Sequence, residues 1–581
     1  MKLSICIATL LSASLLLYVG ASRDEASDNP VVRTPLGAVR GTTMISRSGR
    51  AINAFRGMRY AKPPVGELRF KPPVPITKIW DGIKNATEDG ASCPQASDFL
   101  SGPTSEDCLF LNVYSTKLPD SNSNPQQPVL VFLHHGGWYE MSSQSSLLGP
   151  QYIMDQDIVL VTINNRLGAL GFLSTGDSEV PGNNGLKDQL QALKWVHDNI
   201  ASFGGDANLV TIYGYSAGAA SVQYHMASPR SAGLFHRAIS SSGSALSSWA
   251  ITRDPMALTR RQAKLLNCPN AENATSKQIV DCLRDKDAEE IAKSYFGLRE
   301  WQYDPLVIFA PVIEAVGSSD APFITEDPYW LFRSGNFSQV PWLTGSTNNE
   351  WMRRAKQILD NDTVLADLSQ NFERVAPILF YYERDTPSSQ RKSRRLHDFY
   401  FPDGITKDSL QEITDLYTDG AFLYGADTSV KMISSVSRSP VYYYQFVYRG
   451  RFGHMSTEPG MDRPPGAVHH DDLIYVFYPK DIFPFFEDDF PEAVVSKRLV
   501  KMWANFARTG NPTPVSENGS DGQMGVSWMP LTPSDESYLE IGEESVMKNS
   551  LRQERAAIWE EYIYPKPRSD AGNRYSRRGI R

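Results

Sequence analysis

The chain has 581 residues, of which 41% are hydrophobic and 21% are charged, as expected for a globular protein with a large core. Its 58 basic and 66 acidic residues give a formal net charge of −8, which argues against nucleic-acid binding because that function needs a basic face. The length alone suggests several domains, but no linker or internal repeat divides the chain, so one large domain is expected.

The N-terminus has the features of a secretory signal peptide. Lys2 is followed by a mostly apolar run, and Gly20 and Ala21 provide small residues for cleavage. The alternative is a membrane anchor, but the run is short and is interrupted by serine and threonine. We therefore predict a signal peptide over residues 1–21, one domain over 22–565, and a disordered basic tail over 566–581. The mature protein is expected to be secreted and extracellular, without a stable membrane anchor.

The cysteines agree with an oxidising compartment. Cys6 lies in the predicted signal peptide, and four cysteines remain in the mature chain. Four cysteines allow three pairings, and the order of the spacings favours two local loops, Cys93–Cys108 and Cys268–Cys282. Five Asn-x-Ser/Thr sequons predict glycosylation, at Asn85, Asn273, Asn336, Asn361 and Asn518.

The first half of the chain alternates between strand-like and helix-like segments. Residues 31–41 predict a hairpin, whereas residues 55–73 are rich in proline and glycine and predict an ordered loop. Continuous apolar runs over 128–133 and 157–163 are typical of buried strands. Residues 188–200 place apolar side chains at helical spacing and predict an amphipathic helix.

The centre of the chain contains the pentapeptide Gly214-Tyr215-Ser216-Ala217-Gly218, between a predicted strand over 208–213 and a predicted helix over 219–226. The pattern G-x-S-x-G at a strand-to-helix turn is the nucleophile elbow, which exposes a serine hydroxyl at the carboxyl edge of a sheet. Further strands are predicted over 237–242, 340–345 and 442–447, with helical segments over 255–295 and 497–508. This alternation predicts a mainly parallel sheet covered by helices on both faces.

A serine nucleophile needs a base, a group that orients the base, and donors for the oxyanion. The histidines that follow Ser216 are candidates for the base, and chain order and position in strand-end loops favour three of them. Those three are His454, His469 and His470. Their spacing alone does not choose among them.

At this point the sequence resembles the type-B carboxylesterases, the family that includes the cholinesterases. The resemblance runs from about residue 32 to about residue 564 and rests on several long motifs. These are FRGMRYAKPPVGELRF, EDCLFLNVY, NNRLGALGFLS, GNNGLKDQLQALKWVHDNIASFGGD, GYSAG and WANFARTGNP. The resemblance implies an α/β-hydrolase fold, with a large, mostly parallel, twisted sheet and helices on both faces. It also implies the two local disulfides that the spacings favour.

The family pattern also implies the catalytic residues. Its nucleophile falls on Ser216, its acid on Glu350 in a Gly-x-x-x-x-Glu loop, and its base on His469 in a Gly-x-x-His stretch. His454 and His470 then become bystanders. The family's oxyanion donors fall on the backbone amides of three residues, Gly136, Gly137 and Ala217. The resemblance also places a serine near the acid at Ser242 and an acyl-pocket tryptophan at Trp249, although either could be purely structural.

The chain departs from the family in three places. His135 stands where a glycine is usual, and could narrow the pocket or stiffen the oxyanion loop. Tyr215 stands where an acidic residue usually precedes the nucleophile, and the loop between Cys93 and Cys108 has no tryptophan. The last two departures remove Coulomb and cation–π attraction for choline, so neutral esters are the expected substrates.

The sequence therefore predicts a secreted, glycosylated serine carboxylesterase of the insect type that acts on small ester molecules through an acyl-enzyme. The chemistry needs neither a cofactor nor a metal, so none is expected, and the resemblance is compatible with a homodimer. A juvenile hormone esterase is an alternative within the family, although those enzymes typically carry Gln before the nucleophile. A cholinesterase-like adhesion protein, or one that sequesters esters with slow turnover, is an alternative of another class.

Overall fold

The computed structural model of the chain describes residues 29–97, 104–456, 458, 461, 464–515 and 525–560. The predicted signal peptide over 1–21, the predicted tail over 566–581 and the sequon at Asn518 lie outside these residues. Within them, no helix is both long enough and apolar enough to cross a membrane.

A sheet of eleven strands forms the centre of the fold, and a separate three-stranded sheet joins β1, β2 and β5. The large sheet has the order β14-β13-β12-β11-β10-β9-β7-β8-β6-β4-β3. The strands of the described chain are β1 Val31–Thr34, β2 Gly37–Arg40, β3 Thr42–Ile45, β4 Ala51–Arg59, β5 Ile83–Asn85, β6 Phe110–Ser115, β7 Gln127–Leu133, β8 Val159–Ile163, β9 Gly205–Tyr215, β10 Arg237–Ser241, β11 Trp342–Thr347, β12 Val441–Phe446, β13 Ser537–Ile541 and β14 Ser545–Asn549. In the part of the sheet ordered β13-β12-β11-β10-β9-β7-β8, every strand is parallel to its neighbours. Antiparallel pairs form both edges of the sheet.

Helices cover both faces of the large sheet. Those in the described residues are α1 Gly168–Phe172, α2 Asn184–Asn199, α3 Ala217–Ala227, α4 Pro255–Leu265, α5 Ser276–Arg284, α6 Ala288–Lys293, α7 Pro328–Ser334, α8 Met352–Leu359, α9 Asp362–Gln370, α10 Phe372–Phe380, α11 Pro387–Tyr400, α12 Leu410–Tyr417, α13 Tyr424–Val436, α14 Pro491–Thr509 and α15 Gln553–Ala557. A π-helical turn, Thr418–Leu423, joins α12 to α13.

Strand β7 shows why the apolar runs are continuous. Val129, Val131 and Leu133 pack into the core on one face of the sheet, whereas Leu130 and Phe132 pack into the core on the other face. All seven residues of β7 are buried. Side chains on both sides of a strand must be apolar when helices cover both faces of its sheet. The predicted α/β-hydrolase architecture is therefore confirmed.

One predicted element is wrong. Residues 55–73 were expected to form a loop, but Phe55 to Arg59 continue β4, which pairs antiparallel with β6. The register of that pairing shifts between Phe55 and Met58, and Gly57 lies in the shift with a positive φ of 70°. A glycine-centred β-bulge thus lets the strand pass through a segment whose composition is typical of a loop.

Both disulfides have the predicted local pairing. Cys93 is bonded to Cys108 and Cys268 to Cys282, with Cα–Cα distances of 5.0 and 5.9 Å. Four of the predicted glycosylation sites lie in the described residues, and all four are exposed: Asn85, Asn273, Asn336 and Asn361. Glycosylation of these residues remains a prediction.

Candidate active site

Ser216 occupies the sharp turn between β9 and α3. Its backbone has φ 55° and ψ −120°, a conformation that side-chain-bearing residues seldom adopt. The turn is compact because a Cβ on Gly214 would collide with the carbonyl oxygen of Gly218, and a Cβ on Gly218 with that of Leu133. The two glycines are therefore required by close backbone contacts, and they bring the serine to the carboxyl edge of the parallel strands.

Glu350 and His469 meet beside this turn. Nδ1 of His469 lies 2.5 Å from Oε2 of Glu350, and the backbone N–H of His469 donates to the carbonyl oxygen of Glu350 at 3.0 Å. The other carboxylate oxygen of Glu350 accepts hydrogen bonds from the Ser242 hydroxyl at 2.7 Å and from the Thr347 amide at 2.8 Å. The carboxylate is thus fixed by three partners and is oriented toward one ring nitrogen of His469.

Aromatic rings hold the imidazole of His469 on several sides. Four ring centroids lie 4.1–5.3 Å from that of His469: His470, Phe422, Trp351 and Tyr215. Phe422 belongs to the π-helical turn, a distortion that is common at functional sites. The ring is therefore positioned by packing as well as by its hydrogen bond to Glu350.

The predicted oxyanion donors lie around the same point. Gly136 and Gly137 have φ angles of 103° and 58° and line a cavity together with Ser216 and His469. Their amides donate no hydrogen bond to another residue in the described part of the chain. Ala217 begins α3, where the first amides of a helix have no intrahelical acceptor. The amides of Gly136 and Gly137 thus lie beside Ser216 without an acceptor among the described residues, and Ala217 directly follows that serine.

His134 and His135 precede those glycines. Burial lowers the pKa of His134 to about 4, and burial lowers the pKa of His135 well below its ordinary value. The ring of His135 lies against that of His470, with centroids 4.3 Å apart, and lines the larger of two cavities described below. His135 thus adds a neutral aromatic ring to the cavity wall where the family usually has a glycine.

Tyr215 forms a second polar network that sequence reasoning missed. Its hydroxyl donates to Oδ1 of Asp472 at 2.6 Å and accepts from the backbone N–H of His470 at 2.9 Å. The Tyr444 hydroxyl lies 2.9 Å from Oδ2 of Asp472 and 2.8 Å from the Ser241 hydroxyl. Burial raises the pKa of Asp472 to about 7, against the two tyrosine hydrogen bonds that favour its carboxylate. A hydrogen bond thus links Tyr215, which precedes Ser216, to His470, which follows His469.

Only part of this network leaves a signal in the sequence. Asp472 stands three residues after His469, so the sequence places it in the same strand-end loop. Its partners could not be inferred, because Tyr215 and Asp472 are 257 residues apart. Of the two histidines expected to be bystanders, His470 contributes its backbone amide to the network, and Nδ1 of His454 lies 3.1 Å from Oδ1 of Asp471.

Two adjoining cavities lie beside Ser216 and His469. A narrow one of about 30 Å³ is lined by Ser216, Gly136, Gly137 and Trp249, and a larger one of about 400 Å³ extends from it. Five residues line both: Tyr139, Glu140, Trp351, His469 and His470. Much of the larger cavity is apolar, with contributions from Leu147, Leu473, Ile474, Phe477, Ile482 and Phe483. Trp249, expected in an acyl pocket, does line the narrow cavity.

Comparison with known proteins places the chain among esterases. Residues 28–559 match the profile of the carboxylesterase family. The chain is 39% identical over 502 residues to a juvenile hormone esterase of Tribolium castaneum, covering 84% of each protein. It is 36% identical over 538 residues to esterase FE4 of Myzus persicae, covering 87% of this chain and 91% of that protein.

A solved structure agrees with these sequence matches. The juvenile hormone esterase of Manduca sexta, crystallised with OTFP covalently attached, superposes with a TM-score of 0.80. It is 28% identical, and the match covers 92% of this chain and 99% of that one. The chain therefore belongs to the carboxylesterase family and is a carboxylic ester hydrolase.

Proposed function

We propose that Ser216, His469 and Glu350 form the catalytic triad of this esterase. His469 takes the proton of Ser216 as the serine oxygen attacks the ester carbonyl carbon, and the resulting oxyanion accepts hydrogen bonds from the amides of Gly136, Gly137 and Ala217. His469 returns the proton to the departing alcohol, which leaves an acyl group on Ser216. Water then attacks the acyl-enzyme by the same route and releases the acid.

The observation that supports this proposal is the bond between Nδ1 of His469 and Glu350 in the cavity that Ser216 lines. With Nδ1 occupied by the carboxylate, the second ring nitrogen is left for a proton transfer, and Glu350 stabilises the imidazolium that forms. The tilted contact between Phe422 and His469 restricts the ring to this orientation.

Covalent labelling tests the nucleophile directly. A fluorophosphonate should label the wild-type chain on Ser216, and Ser216→Ala should abolish both labelling and ester hydrolysis. Ser248→Ala is a matched control, because Ser248 is also largely buried near the site but lies outside the strand-to-helix turn. Persistent labelling of Ser216→Ala would place the nucleophile elsewhere.

Neutral esters are the proposed substrate class. The narrow cavity that Ser216 lines has several apolar and aromatic side chains, and the residue before the nucleophile is a tyrosine rather than an acid. Glu140 lines both cavities, but burial raises the pKa of its carboxyl, which weakens it as an anchor for a cation. We expect kcat/KM to be higher for an uncharged butyrate ester than for butyrylthiocholine. Equal use of both substrates would show that Glu140 or the aromatic rings bind choline.

Hydrolysis of a juvenile hormone is a second candidate, supported by the names of two relatives and by the partly apolar cavity of about 400 Å³. Tyr215 differs from the Gln expected in such enzymes. Measuring kcat/KM for juvenile hormone against p-nitrophenyl butyrate decides between a dedicated and a general esterase. Turnover so slow that each molecule is effectively trapped would instead indicate the sequestering function.

Secretion is part of the same proposal. It is supported by the apolar N-terminal run, the two disulfides and the four exposed sequons. Expression in insect cells should place the protein in the medium with residues 1–21 removed. Treatment with an N-glycosidase should then increase its electrophoretic mobility.

A further inference from the structure

A further cavity of about 230 Å³, called the second cavity, shares two wall residues with the narrow catalytic cavity. These residues are Trp249 and Val307. That second cavity contacts neither Glu350 nor His469, and its other apolar wall residues include Leu258, Leu298 and Ile308. It is smaller than the roughly 300–1,000 Å³ of sites that hold drug-sized ligands, so a slender molecule of moderate length fits it best.

The shared wall is rigid. The indole N–H of Trp249 donates to the carbonyl oxygen of Ala421 at 2.6 Å, and its ring packs 5.6 Å from that of Trp138. Trp249 is only 2% exposed. The two cavities are therefore distinct but adjacent, with one fixed indole between the reacting serine and the second space.

The rim of the second cavity has an excess of positive charge. Arg253, Arg261 and Arg384 line it, and Glu300 is the acidic residue among them. Glu300 forms ion pairs with Arg261 and with Arg384. Arg253 is exposed and forms no ion pair with any other residue that the structure describes. At least one guanidinium is thus available to an anion.

The wall of the same cavity also contains an unsatisfied hydroxyl. Ser248 lines it and is 9% exposed, and its Oγ has no hydrogen-bond partner among the described residues. The cavity therefore combines an apolar wall, a cationic rim and an unpaired hydroxyl.

We propose that this cavity, the product cavity, binds the carboxylic acid that ester hydrolysis releases. The acid is an anion at neutral pH with an apolar chain, and both properties match the cavity. Its carboxylate lies at the arginine rim near Arg253, and its chain lies against Leu258 and Val307. This assignment rests on the proposed function for the source of the acid, but the binding itself does not require hydrolysis.

Octanoate is the probe, titrated by calorimetry into the full-length chain after Ser216 has been blocked with a fluorophosphonate. We expect octanoate to bind the blocked chain, and Arg253→Glu to weaken that binding by about fivefold. Arg33→Glu is the matched control, because Arg33 is an exposed arginine on β1 and does not line the cavity, and it should leave the affinity unchanged. The affinity for 1-octanol, which has no charge, should be insensitive to Arg253→Glu.

Leu258→Trp fills the cavity from α4 and should abolish octanoate binding while the blocked serine stays labelled. In the unblocked enzyme, octanoate should inhibit noncompetitively. An unchanged octanoate affinity in both Arg253→Glu and Leu258→Trp would overturn the proposal, as would purely competitive inhibition. The chain could fail to hydrolyse esters and still bind octanoate with the expected sensitivity to Arg253→Glu and Leu258→Trp. That result would refute the proposed function but support the binding of carboxylic acids in the product cavity.

Discussion

Two buried carboxyl groups, those of Glu350 and Asp472, differ in what surrounds them. Glu350 faces the imidazole of His469, which gains a positive charge in the proposed reaction, and two further donors hold its other oxygen. Asp472 faces two tyrosine hydroxyls, which are neutral, and burial raises its pKa to about 7. Both carboxyl groups are buried, but only Glu350 has a partner that can become a cation. Asp472 has only neutral donors, so its charged form is less stabilised.

Glu350→Gln should have the largest effect of any change at these two groups. The glutamine is nearly isosteric but cannot stabilise the imidazolium, and its amide can bind the wrong ring tautomer. We expect kcat on p-nitrophenyl butyrate to fall by about four orders of magnitude. His454→Ala serves as a control and should change kcat little. A loss of less than tenfold in Glu350→Gln would mean that another acid orients His469.

Asp472→Asn makes the same exchange at the other carboxyl, and its effect should appear in stability. The pKa of Asp472 is about 7 in the folded chain and near 3.8 without the fold, so the folded state keeps a proton that the unfolded state loses as pH rises. The wild type therefore loses stability between about pH 4 and 7, by about 1.4 kcal/mol per pH unit. The variant should lack this loss, as measured by urea denaturation at pH 5 and 7.5. Parallel pH profiles for the two proteins would refute the assignment.

Tyr215→Phe breaks the link between β9 and the loop that carries His469 and His470. It leaves the buried amide of His470 without its acceptor and removes one donor from Asp472. The expected loss in the free energy of unfolding is about 2 kcal/mol. Tyr443→Phe is the matched control, because the buried hydroxyl of Tyr443 has no partner in the described chain, and its removal should cost nothing. If the two variants have the same denaturation midpoint, the link contributes no stability.

Ser242→Ala should have the smallest effect. Glu350 keeps the Thr347 amide and His469 when the hydroxyl is removed, so its position is loosened rather than lost. We expect kcat to fall by about tenfold, as for one hydrogen bond to a charged group. The measurement is kcat at pH 8 with the acyl-enzyme level checked by burst kinetics. A loss as large as that of Glu350→Gln would show that Ser242 takes part in proton transfer.

The fold could be predicted where a local pattern has one physical meaning. The apolar runs of β7 and β8 indicate strands covered on both faces, and the glycines around Ser216 indicate a turn with no room for side chains. The strand within residues 55–73 could not be predicted, because the bulge at Gly57 looks like a loop in composition.

The candidate site was predictable to a similar degree. Three histidines remained possible bases from residue order alone, and only the resemblance to esterases selected His469. The structure shows why the choice was difficult, since the rings of His454, His469 and His470 lie in one cluster. The Tyr215–Asp472 contact and the product cavity depend on side chains brought together by the whole fold, so no local pattern reports them.

Four buried histidines of this fold have lowered pKa values and therefore stay neutral in weak acid. Burial lowers the pKa of His134 to about 4 and of His225 to about 3, and it lowers those of His135 and His470 well below their ordinary value. Below about pH 6.5 the unfolded chain gains protons that these folded imidazoles refuse, so each subtracts about 1.4 kcal/mol from stability per pH unit. Burial also raises the pKa of Asp472 and of five other carboxyl groups, which act in the opposite sense: Glu140, Asp188, Asp304, Asp419 and Asp427. The pH dependence of stability is therefore set by the balance between buried imidazoles and buried carboxyl groups, and not by the histidines alone.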